Sequence, residues 1–252
     1  MIKSIDMKRL LLLAIVLFGV VNAWAEEGSK EFKKNFPAAS INELTVTNRY
    51  GNIDVKQEGD EFSITTSVWV EAKTKAKVDE ILEYISITAK AQGAVLNVET
   101  LFQKDMSLRQ MFAGVTVSVD YHIKVPKGKK VRLVCTEGGA SVADFVGDMS
   151  VEIVSGNFKA NSVTGGEFSV KQNKGEFEVE KLGNMTAEFK SCKVKIGEGK
   201  EMKLDCTSTT LQLMEADKLS LKTSDFFLHE IRGAGYWRIT QDGYALGRVE
   251  RA

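Results

Sequence analysis

The segment 151–230 repeats itself at a period of about 17 residues, and this repeat decides the fold. Divided at that interval it reads VEIVSGNFKANSVTGGE (151–167), FSVKQNKGEFEVEKLGN (168–184), MTAEFKSCKVKIGEGKE (185–201), MKLDCTSTTLQLMEADK (202–218) and LSLKTSDFFLHE (219–230). Self-similarity at a short fixed period is typical of solenoid proteins. Apolar and polar residues alternate within each segment, which predicts two short strands and two turns per repeat.

Stacking the segments aligns their apolar residues in columns. The first two columns are Val151, Phe168, Met185, Met202, Leu219 and, two residues on, Ile153, Val170, Ala187, Leu204, Leu221. The columns of the second strand are Ala160, Phe177, Val194, Leu211, Leu228 and Ser162, Val179, Ile196, Leu213, Glu230. Coils stacked about 4.8 Å apart would turn these columns into one buried core. The same register predicts outward ion pairs, namely Lys171–Glu188, Glu176–Lys193, Glu178–Lys195 and Asp205–Lys222.

The composition is that of a globular protein, with 43% hydrophobic and 27% charged residues, and it supports one sizeable core. Lys plus Arg and Asp plus Glu number 34 each, so the formal net charge is zero. A balanced chain lacks the positive field that attracts nucleic acid or anionic lipid. We therefore expect no nucleic-acid partner.

Residues 1–25 have the features of a signal peptide. A basic start ends at Arg9, an uncharged apolar run covers Leu10–Val21, and Ala23-Trp24-Ala25 fits the small-x-small cleavage rule. The alternative, a transmembrane anchor, needs roughly 20 apolar residues, and this run is too short. We expect an exported protein of the periplasm or cell surface, cleaved before Glu26, that is not an integral membrane protein.

Residues 26–252 are interpreted as a single all-β domain, a single-stranded β-helix with about 17 residues per coil. Residues 26–40 form a polar lead-in in this interpretation, and residues 42–56 form an early coil. A layer of about four antiparallel strands and one short helix (residues 73–84) is inserted over about 60–126, where long alternating runs and one helical spacing replace the repeat.

Regular coils resume over about 129–233. The coil that begins at Val131 is predicted to run over 131–150, a length of 20 against 17 for the others, with Gly138-Gly139 absorbing the difference. A C-terminal cap is predicted over 234–252. It would contain a last, irregular coil that starts at Trp237, and Tyr236, Trp237 and Tyr244 are bulky enough to help close the open end.

Three cysteines cannot form a complete disulfide framework. Cys206 falls in a third inward column and Cys135 occupies the matching place of an earlier coil, so both are predicted to be buried and apolar in character. The other members of that column are Ser155, Gln172, Phe189 and Thr223. Cys192 is predicted in a turn about one coil from Cys206, and a disulfide between the two stays open. No His or Cys pair has the spacing of metal ligands.

Three stretches resemble a known family. They are LTVTNRYGNIDV (44–55), YHIKVPKG (121–128) at the end of the inserted layer, and turns such as Ser155-Gly156-Asn157-Phe158. Together with the export signal they resemble the adhesin-type β-solenoid domains of bacteria, also called toast-rack domains, a family of largely unknown function. The resemblance covers nearly all of the mature chain. It implies a location in the envelope or at the surface, and it supplies no catalytic residues.

Enzymes on solenoids of this kind cleave acidic polysaccharides with clustered carboxylates and a cationic group. Here the outward columns mix both signs. Asp120 and His122 share the polar side of one strand and could suggest a base with its orienting carboxylate. No nucleophile accompanies them, so a solvated strand face is favoured. We expect no catalytic residue, no cofactor and no metal ion.

Two features are candidate partner contacts. Trp69 falls on the polar side of its strand, where an exposed indole would suit sugar stacking or a protein contact and a buried one would pack against the helix. The loop 102–114 carries Phe102, Met106, Met111 and Phe112, which would form an apolar patch if exposed or would plug one end of the coil.

The sequence as a whole predicts a non-catalytic, exported, adhesin-like binding protein of the cell envelope. Its partner would be an envelope or extracellular protein or glycan. The alternatives are a sensory or scaffold module of an envelope-stress or anti-sigma system, implied by the same resemblance, and a polysaccharide lyase or hydrolase.

Overall fold

The computed structural model describes residues 25–103, 113–224, 227–241 and 244–250. Within them the chain forms fourteen strands, one 3₁₀ turn (Ala38–Ser40) and one α-helix, α1 (Lys75–Tyr84). The strands are β1 (Glu26–Pro37), β2 (Glu43–Gln57), β3 (Glu61–Ala72), β4 (Ile85–Gln92), β5 (Val95–Phe102), β6 (Val115–Val125), β7 (Lys130–Val146), β8 (Met149–Ser155), β9 (Phe158–Gln172), β10 (Gly175–Lys190), β11 (Cys192–Thr207), β12 (Thr210–Ser224), β13 (Phe227–Gln241) and β14 (Tyr244–Glu250).

The predicted solenoid with an inserted antiparallel layer and one helix is confirmed. From β7 to β13 each strand pairs in parallel with the next strand along the chain. Most of these strands are long and bend at a corner, so each contributes one half to each of two flat faces. The residues between β10 and β12 keep the period of 17, as when Met185 lies beside Met202 and Met202 beside Leu219.

The predicted register is wrong by two residues in the first regular coil. Met149, not Val151, lies beside Phe168, and Val151, not Ile153, lies beside Val170. Likewise Phe158, not Ala160, is the partner of Phe177. The offset between partners in this coil is therefore 19 instead of 17, because the corner at Gly165-Gly166 holds two more residues than the corner at Gly183 in the next coil.

In the coil before it the offset is 18 and not the predicted 20, since Val131 lies beside Met149. Gly138-Gly139 does not absorb extra length, because the offset between partners is the same before and after it. These glycines serve a tight corner instead. Gly138 has φ +135°, and a Cβ there would lie 1.9 Å from the carbonyl oxygen of Gly51. A side chain at this corner would force neighbouring coils apart.

The inward columns form one continuous core. Aromatic rings contact one another along it: Phe158 and Phe177 are stacked with ring centroids 5.2 Å apart, and Phe177 and Phe189 meet edge-on with ring centroids 4.9 Å apart. Leu204 and Leu221 are 3% and 1% exposed and lie on neighbouring strands. Each such side chain contributes roughly 1.5–3 kcal/mol by leaving water. The apolar columns are therefore the main source of stability.

All four predicted outward ion pairs are present. The Nζ atoms lie 4.0 Å from the carboxylate in Lys171–Glu188, 3.2 Å in Lys193–Glu176, 3.0 Å in Lys195–Glu178 and 2.9 Å in Lys222–Asp205. Both partners of each pair are well exposed, so each pair contributes only a few tenths of a kcal/mol up to about 1 kcal/mol.

The inserted layer covers the exposed edge of the first coil. The hairpin β4–β5 lies beside the first half of β2, where Leu44 pairs with Leu96, and β6 lies beside the second half, where Ile53 pairs with Tyr121. Strand β3 then pairs with β6 in antiparallel fashion. Each face of the solenoid thus continues into the insertion. Strand β2 has β7 on one side and β5 and β6 on the other, so the insertion protects the edge of the first coil.

The interpretation of residues 26–40 as a lead-in is wrong for most of that stretch. Residues 26–37 form β1, which pairs with β3 along its whole length from Glu26–Ala72 to Pro37–Glu61. The strand is anchored by Lys30, whose ammonium group donates to the carbonyls of Leu82 and Ile85 at the C-terminal end of α1. Burial lowers the pKa of Lys30. The charged residues of β1 also protect this outer edge of the sheet.

The C-terminal end differs from the predicted irregular coil. Strand β13 does stack on β12, with Trp237 beside Leu219, but β14 turns back and pairs with β13 in antiparallel fashion, with Val249 beside Trp237. Leu246 therefore belongs to a hairpin and not to a further coil. The side chains of Tyr236, Trp237 and Tyr244 lie outside the described part of the structure.

All three cysteines are free and buried, so no Cys192–Cys206 disulfide forms. Cys192 opens strand β11 rather than lying in a turn, and its thiol lies 3.3 Å from the carbonyl oxygen of Gln172. Cys135 and Cys206 do occupy the same inward column, but Ile153 takes the place predicted for Ser155. In the described residues no helix has both the length and the apolar character to span a bilayer.

Candidate functional site

One continuous hydrophilic surface crosses the junction between the insertion and the coils. We call it the polar face, and it comprises the outward side chains of β1, β3, β6 and the second halves of β2, β7 and β9. Its continuity follows from the register: Trp69 lies beside Ser118, His122 beside Asp54, Asp54 beside Ser141 and Ser141 beside Lys159. Side chains that are directly opposite on neighbouring strands point to the same side of a sheet.

A shallow groove of about 740 Å³ lies on this face where β6 and β2 meet the next two coils. We call it the joint groove. Its polar lining includes Asn52, Asp54, Asp120, His122, Asn157 and Lys159, and its corner side is lined by the backbone of Gly138, Gly139 and Gly156. The volume falls within the range of about 300–1,000 Å³ that is common for small-ligand sites.

Short hydrogen bonds fix the carboxylates of the joint groove. Asp120 Oδ1 accepts from the backbone N–H of Asn52 at 2.8 Å, and its Oδ2 accepts from the Ser118 hydroxyl at 2.8 Å. Asp54 Oδ1 accepts from the Ser141 hydroxyl at 2.8 Å. The carboxylates are thus held in place by groups of the protein before any ligand arrives.

The suggested pair of Asp120 and His122 does not form. His122 Nδ1 instead lies 3.6 Å from Asp54 Oδ2, across the β6–β2 boundary. Ser141, Asp54 and His122 are close together, but their order differs from that of a catalytic triad, because the hydroxyl donates to the carboxylate and not to the imidazole. The described residues contain no group of three or more His, Cys, Asp or Glu that could hold a metal ion.

Trp69 lies on the polar face, half-buried, and its indole N–H points to Glu27 Oε2 at 3.4 Å. The alternative of packing against the helix is wrong. Helix α1 covers the other side of this sheet, where a Cβ on Gly28 would meet Val78, and Gly28 lies beside Val70. Because side chains alternate along a strand, Trp69 points away from the helix.

The second predicted contact region is described only at its start. Phe102 ends β5, is half-buried, and packs edge-on against Tyr50 with ring centroids 5.7 Å apart. It also contacts the core cluster. Met106, Met111 and Phe112 lie outside the described residues, so the apolar patch stays a prediction.

A second groove of similar volume, about 740 Å³, follows the corner that carries Gly165, Gly166 and Gly183. Some of its charged residues take part in ion pairs. Asp148 accepts from Lys130 at 2.8 Å, and Lys181 lies 3.4 Å from Glu198. This groove follows a run of stacked corners, and Glu167, Lys200, Glu215 and Asp217 complete its charged lining.

The thiols are poor nucleophiles where they lie. Burial raises the pKa of Cys135 and of Cys192 to about 11 and that of Cys206 to about 12. A thiol with so high a pKa holds almost no thiolate at neutral pH. The cysteines therefore belong to the core.

Sequence reasoning named Trp69, Asp120 and His122 on the polar face but missed Asn52, Asp54, Ser141, Asn157 and Lys159. These residues come from strands that are far apart in the chain. Asn52 and Asp120, which hydrogen-bond to each other, are 68 residues apart. One sequence feature could have indicated two of these residues: Asn52 and Asn157 each follow a glycine in a turn, at Gly51-Asn52 and Gly156-Asn157.

Comparisons with known proteins find distant similarity to several solved bacterial proteins. It is similar over 84% of its length to 95% of a "putative adhesin" from Bacteroides fragilis, at 13% identity and a TM-score of 0.42. It is also similar over 85% of its length to 95% of a "putative lipid binding protein" from Parabacteroides distasonis (13% identity, TM-score 0.35) and to 95% of a "putative adhesin" from the same species (14%, 0.34).

Two of these three names are those of the family that the sequence resembles. At identities and TM-scores this low, however, the matches say nothing about what this chain binds. No family model matches the sequence, and no curated protein is similar to it.

Proposed function

We propose that this chain is an exported, non-catalytic binding protein of the cell envelope, located in the periplasm or at the cell surface. Its partner is an envelope or extracellular glycan or protein. The observation that carries the proposal is the polar face: a continuous surface crossing the insertion and the first coils, with Trp69 and a groove of fixed polar groups.

The rigidity of this surface supports a binding role. Strand β6 presents Ser118, Asp120 and His122 outward while Val119, Tyr121 and Ile123 between them are at most 2% exposed. The backbone of such a strand cannot shift without disturbing the core beneath it, so the outward side chains project from fixed positions. Preorganised groups bind with a smaller loss of conformational entropy than mobile ones.

The groove chemistry supports binding over catalysis. The Ser141 hydroxyl hydrogen is donated to Asp54, so His122 is not placed to activate it. The carboxylates of Asp54 and Asp120 are each fixed by donors of the protein itself. Such groups suit the recognition of a polar ligand.

The position of β1 is compatible with export. Cleavage after Ala25 would leave Glu26 as the first residue, and Glu26 is also the first residue of β1, paired with Ala72. Removal of residues 1–25 would therefore leave every pair of the described sheet intact.

The test is to produce the full chain with a C-terminal tag in a bacterial host, fractionate the cells, and sequence the N-terminus of the recovered protein. We expect the protein outside the cytoplasm with Glu26 first. The purified protein should bind isolated envelopes saturably and release no reducing ends from plant or bacterial polysaccharides. A cytoplasmic, uncleaved product would contradict export, and release of sugars would contradict a non-catalytic role.

A further inference from the structure

Trp69 and the joint groove lie close enough to contact one extended ligand. Trp69 is directly opposite Ser118, and Asp120 follows two residues along the same strand. Given strands about 4.8 Å apart and a rise of about 3.4 Å per residue, the Cα atoms of Trp69 and Asp120 are about 8 Å apart. Asp120 then bonds to Asn52, which lines the groove.

The surroundings of Trp69 are unusual for an indole. It is the single aromatic residue among the described outward positions of β1, β3 and β6, where its neighbours are Ser29, Ser67 and Ser118. The bond to Glu27 holds the polar edge of the ring. A partly buried indole on a polar surface can serve as a platform on which the apolar C–H face of a sugar ring stacks.

The groups beyond the platform are hydrogen-bond acceptors for hydroxyl donors. Asp120 and Asp54 each have carboxylate lone pairs that remain after the bonds from Asn52, Ser118 and Ser141. The amide of Asn157 and the backbone beside Gly139 add further polar groups to the groove. Hydrogen bonds from neutral hydroxyl groups to carboxylates are stronger than those between neutral partners.

The charge of the surface selects among ligands of this kind. The carboxylates next to Trp69 and in the joint groove include those of Glu27, Asp54 and Asp120, and the ammonium group of Lys159 is drawn to Glu178, 3.7 Å away. Lys33, Lys56 and Lys124 lie towards the other end of β3, away from Trp69. An acidic polysaccharide would meet like charge here. A protein partner would need several buried apolar anchors, and Trp69 is the single aromatic residue among the described outward positions of β1, β3 and β6.

We infer that the polar face binds an uncharged glycan, with a sugar ring stacked on Trp69 and hydroxyl groups of the next residues bonded to Asp120 and Asn52 in the joint groove. This inference rests on the proposed binding function and names its ligand class and its site.

Affinity electrophoresis tests it. The purified chain is run in native gels that contain a neutral polysaccharide (yeast mannan, dextran or galactomannan) or an anionic one (polygalacturonate or hyaluronate). We expect retardation by at least one neutral polymer and by neither anionic polymer. Trp69→Ala should weaken that binding about tenfold or more, as loss of a central anchor does, and Trp69→Phe should restore part of it. Asp120→Asn should weaken it about tenfold.

Gln212→Ala is the matched control, because Gln212 faces outward on a later coil, far from the joint groove. It should leave retardation unchanged, and the melting temperatures of all variants establish that they are folded. The inference is wrong if no neutral polymer retards the chain, if an anionic polymer does so, if Trp69→Ala binds like the wild type, or if the face proves to bind a protein instead. If the chain binds isolated envelopes but no glycan, the glycan inference is wrong and the proposed binding function stands. If the chain binds a neutral glycan but is found in the cytoplasm, only the proposed export is wrong.

Discussion

The regular coils β10–β12 and the junction where β2 meets β5 and β6 are both stacks of strands, yet they are held together in different ways. In the coils, the inward positions carry columns of apolar residues, such as Ala187, Leu204 and Leu221. At the junction a cluster of polar groups is buried instead. Asn48 is 1% exposed and Tyr121 is not exposed at all.

The polar cluster joins three strands that the repeat does not align. The Asn48 amide donates to the carbonyl oxygens of Val119 at 2.8 Å and Tyr50 at 3.2 Å, and its oxygen accepts from the Thr100 hydroxyl at 3.2 Å. The Thr100 and Tyr121 hydroxyls are 2.6 Å apart. Hydrogen bonds have a fixed geometry, so those of the polar cluster specify one register at the junction. Contacts between apolar side chains are not directional, and the register of the coils is specified by the repeat itself.

The largest effect is expected in the coils. Leu204→Asp places a carboxylate at a position that is 3% exposed, between Ala187 and Leu221, and should cost more than about 4 kcal/mol or prevent folding. Gln212→Asp, which faces outward beside Lys195, should change stability by no more than about 0.5 kcal/mol. Thermal unfolding followed by circular dichroism compares the two. Equal melting temperatures would contradict the inward and outward assignment.

The next effect is expected at the junction. Asn48→Ala removes the donor to Val119 and leaves buried polar groups without partners, which should cost about 2–4 kcal/mol in urea unfolding. Thr66→Val is the control, because Thr66 lies beside Tyr121 and its buried hydroxyl has no hydrogen-bond partner in the described structure. That change should be neutral or stabilising. A smaller loss for Asn48→Ala than for Thr66→Val would show that the polar cluster does not hold the junction.

These two sites also show what the sequence could and could not predict. Leu204 was assigned correctly because the period of 17 is constant from β10 to β12. The predicted register of the first regular coil was wrong by two residues, and alternation could not reveal the error, because a slip of two keeps every side chain on its own face. Ile153 is still buried at 1% exposure, in the column beside the one predicted.

The site was less predictable than the fold for a related reason. The outward residue Trp69 stood out by type alone, as an indole among serines and threonines. The groove could not be predicted, because Asp54, His122 and Ser141 come together only through the pairing of β2 with both β6 and β7. No local pattern encodes which strand the insertion will pair with.

A third prediction uses the cysteines to measure opening of each region separately. Cys135 lies directly opposite Asn48, whereas Cys206 lies beside Phe189 in the coils. In Asn48→Ala, iodoacetamide should label Cys135 about tenfold faster or more, because each 1.4 kcal/mol of lost local stability raises the rate by a factor of about ten. The labelling rate of Cys206 should not change. Mass spectrometry of peptides gives both rates. Equal acceleration at both thiols would mean that the molecule opens as one unit.

The smallest effect concerns the outward ion pairs of the coils. The hydrogen bond from the Lys195 ammonium group to Glu178 holds the pKa of Glu178 below its ordinary value of 4.5, and the positive charges of Lys195 and Lys159 lower this pKa further. A carboxylate with a lowered folded pKa adds stability above its unfolded pKa, and that stability is lost as the pH falls through the folded pKa. Both side chains are exposed, so the contribution is a few tenths of a kcal/mol after screening. The loss of stability between pH 6 and pH 3 should therefore be slightly smaller in Lys195→Met than in the wild type.

The change Lys171→Met is the matched control for this pair, because its ammonium group lies 4.0 Å from Glu188 rather than 3.0 Å from a carboxylate. It should alter the pH dependence less than Lys195→Met, and 1 M NaCl should bring both variants towards the wild type, because it shortens the screening length to about 3 Å. Urea midpoints at the two pH values measure the effect. If Lys195→Met removed several kcal/mol at pH 6, the outward pairs would rival the apolar columns, and the contrast between a coil held by its core and a junction held by hydrogen bonds would fail.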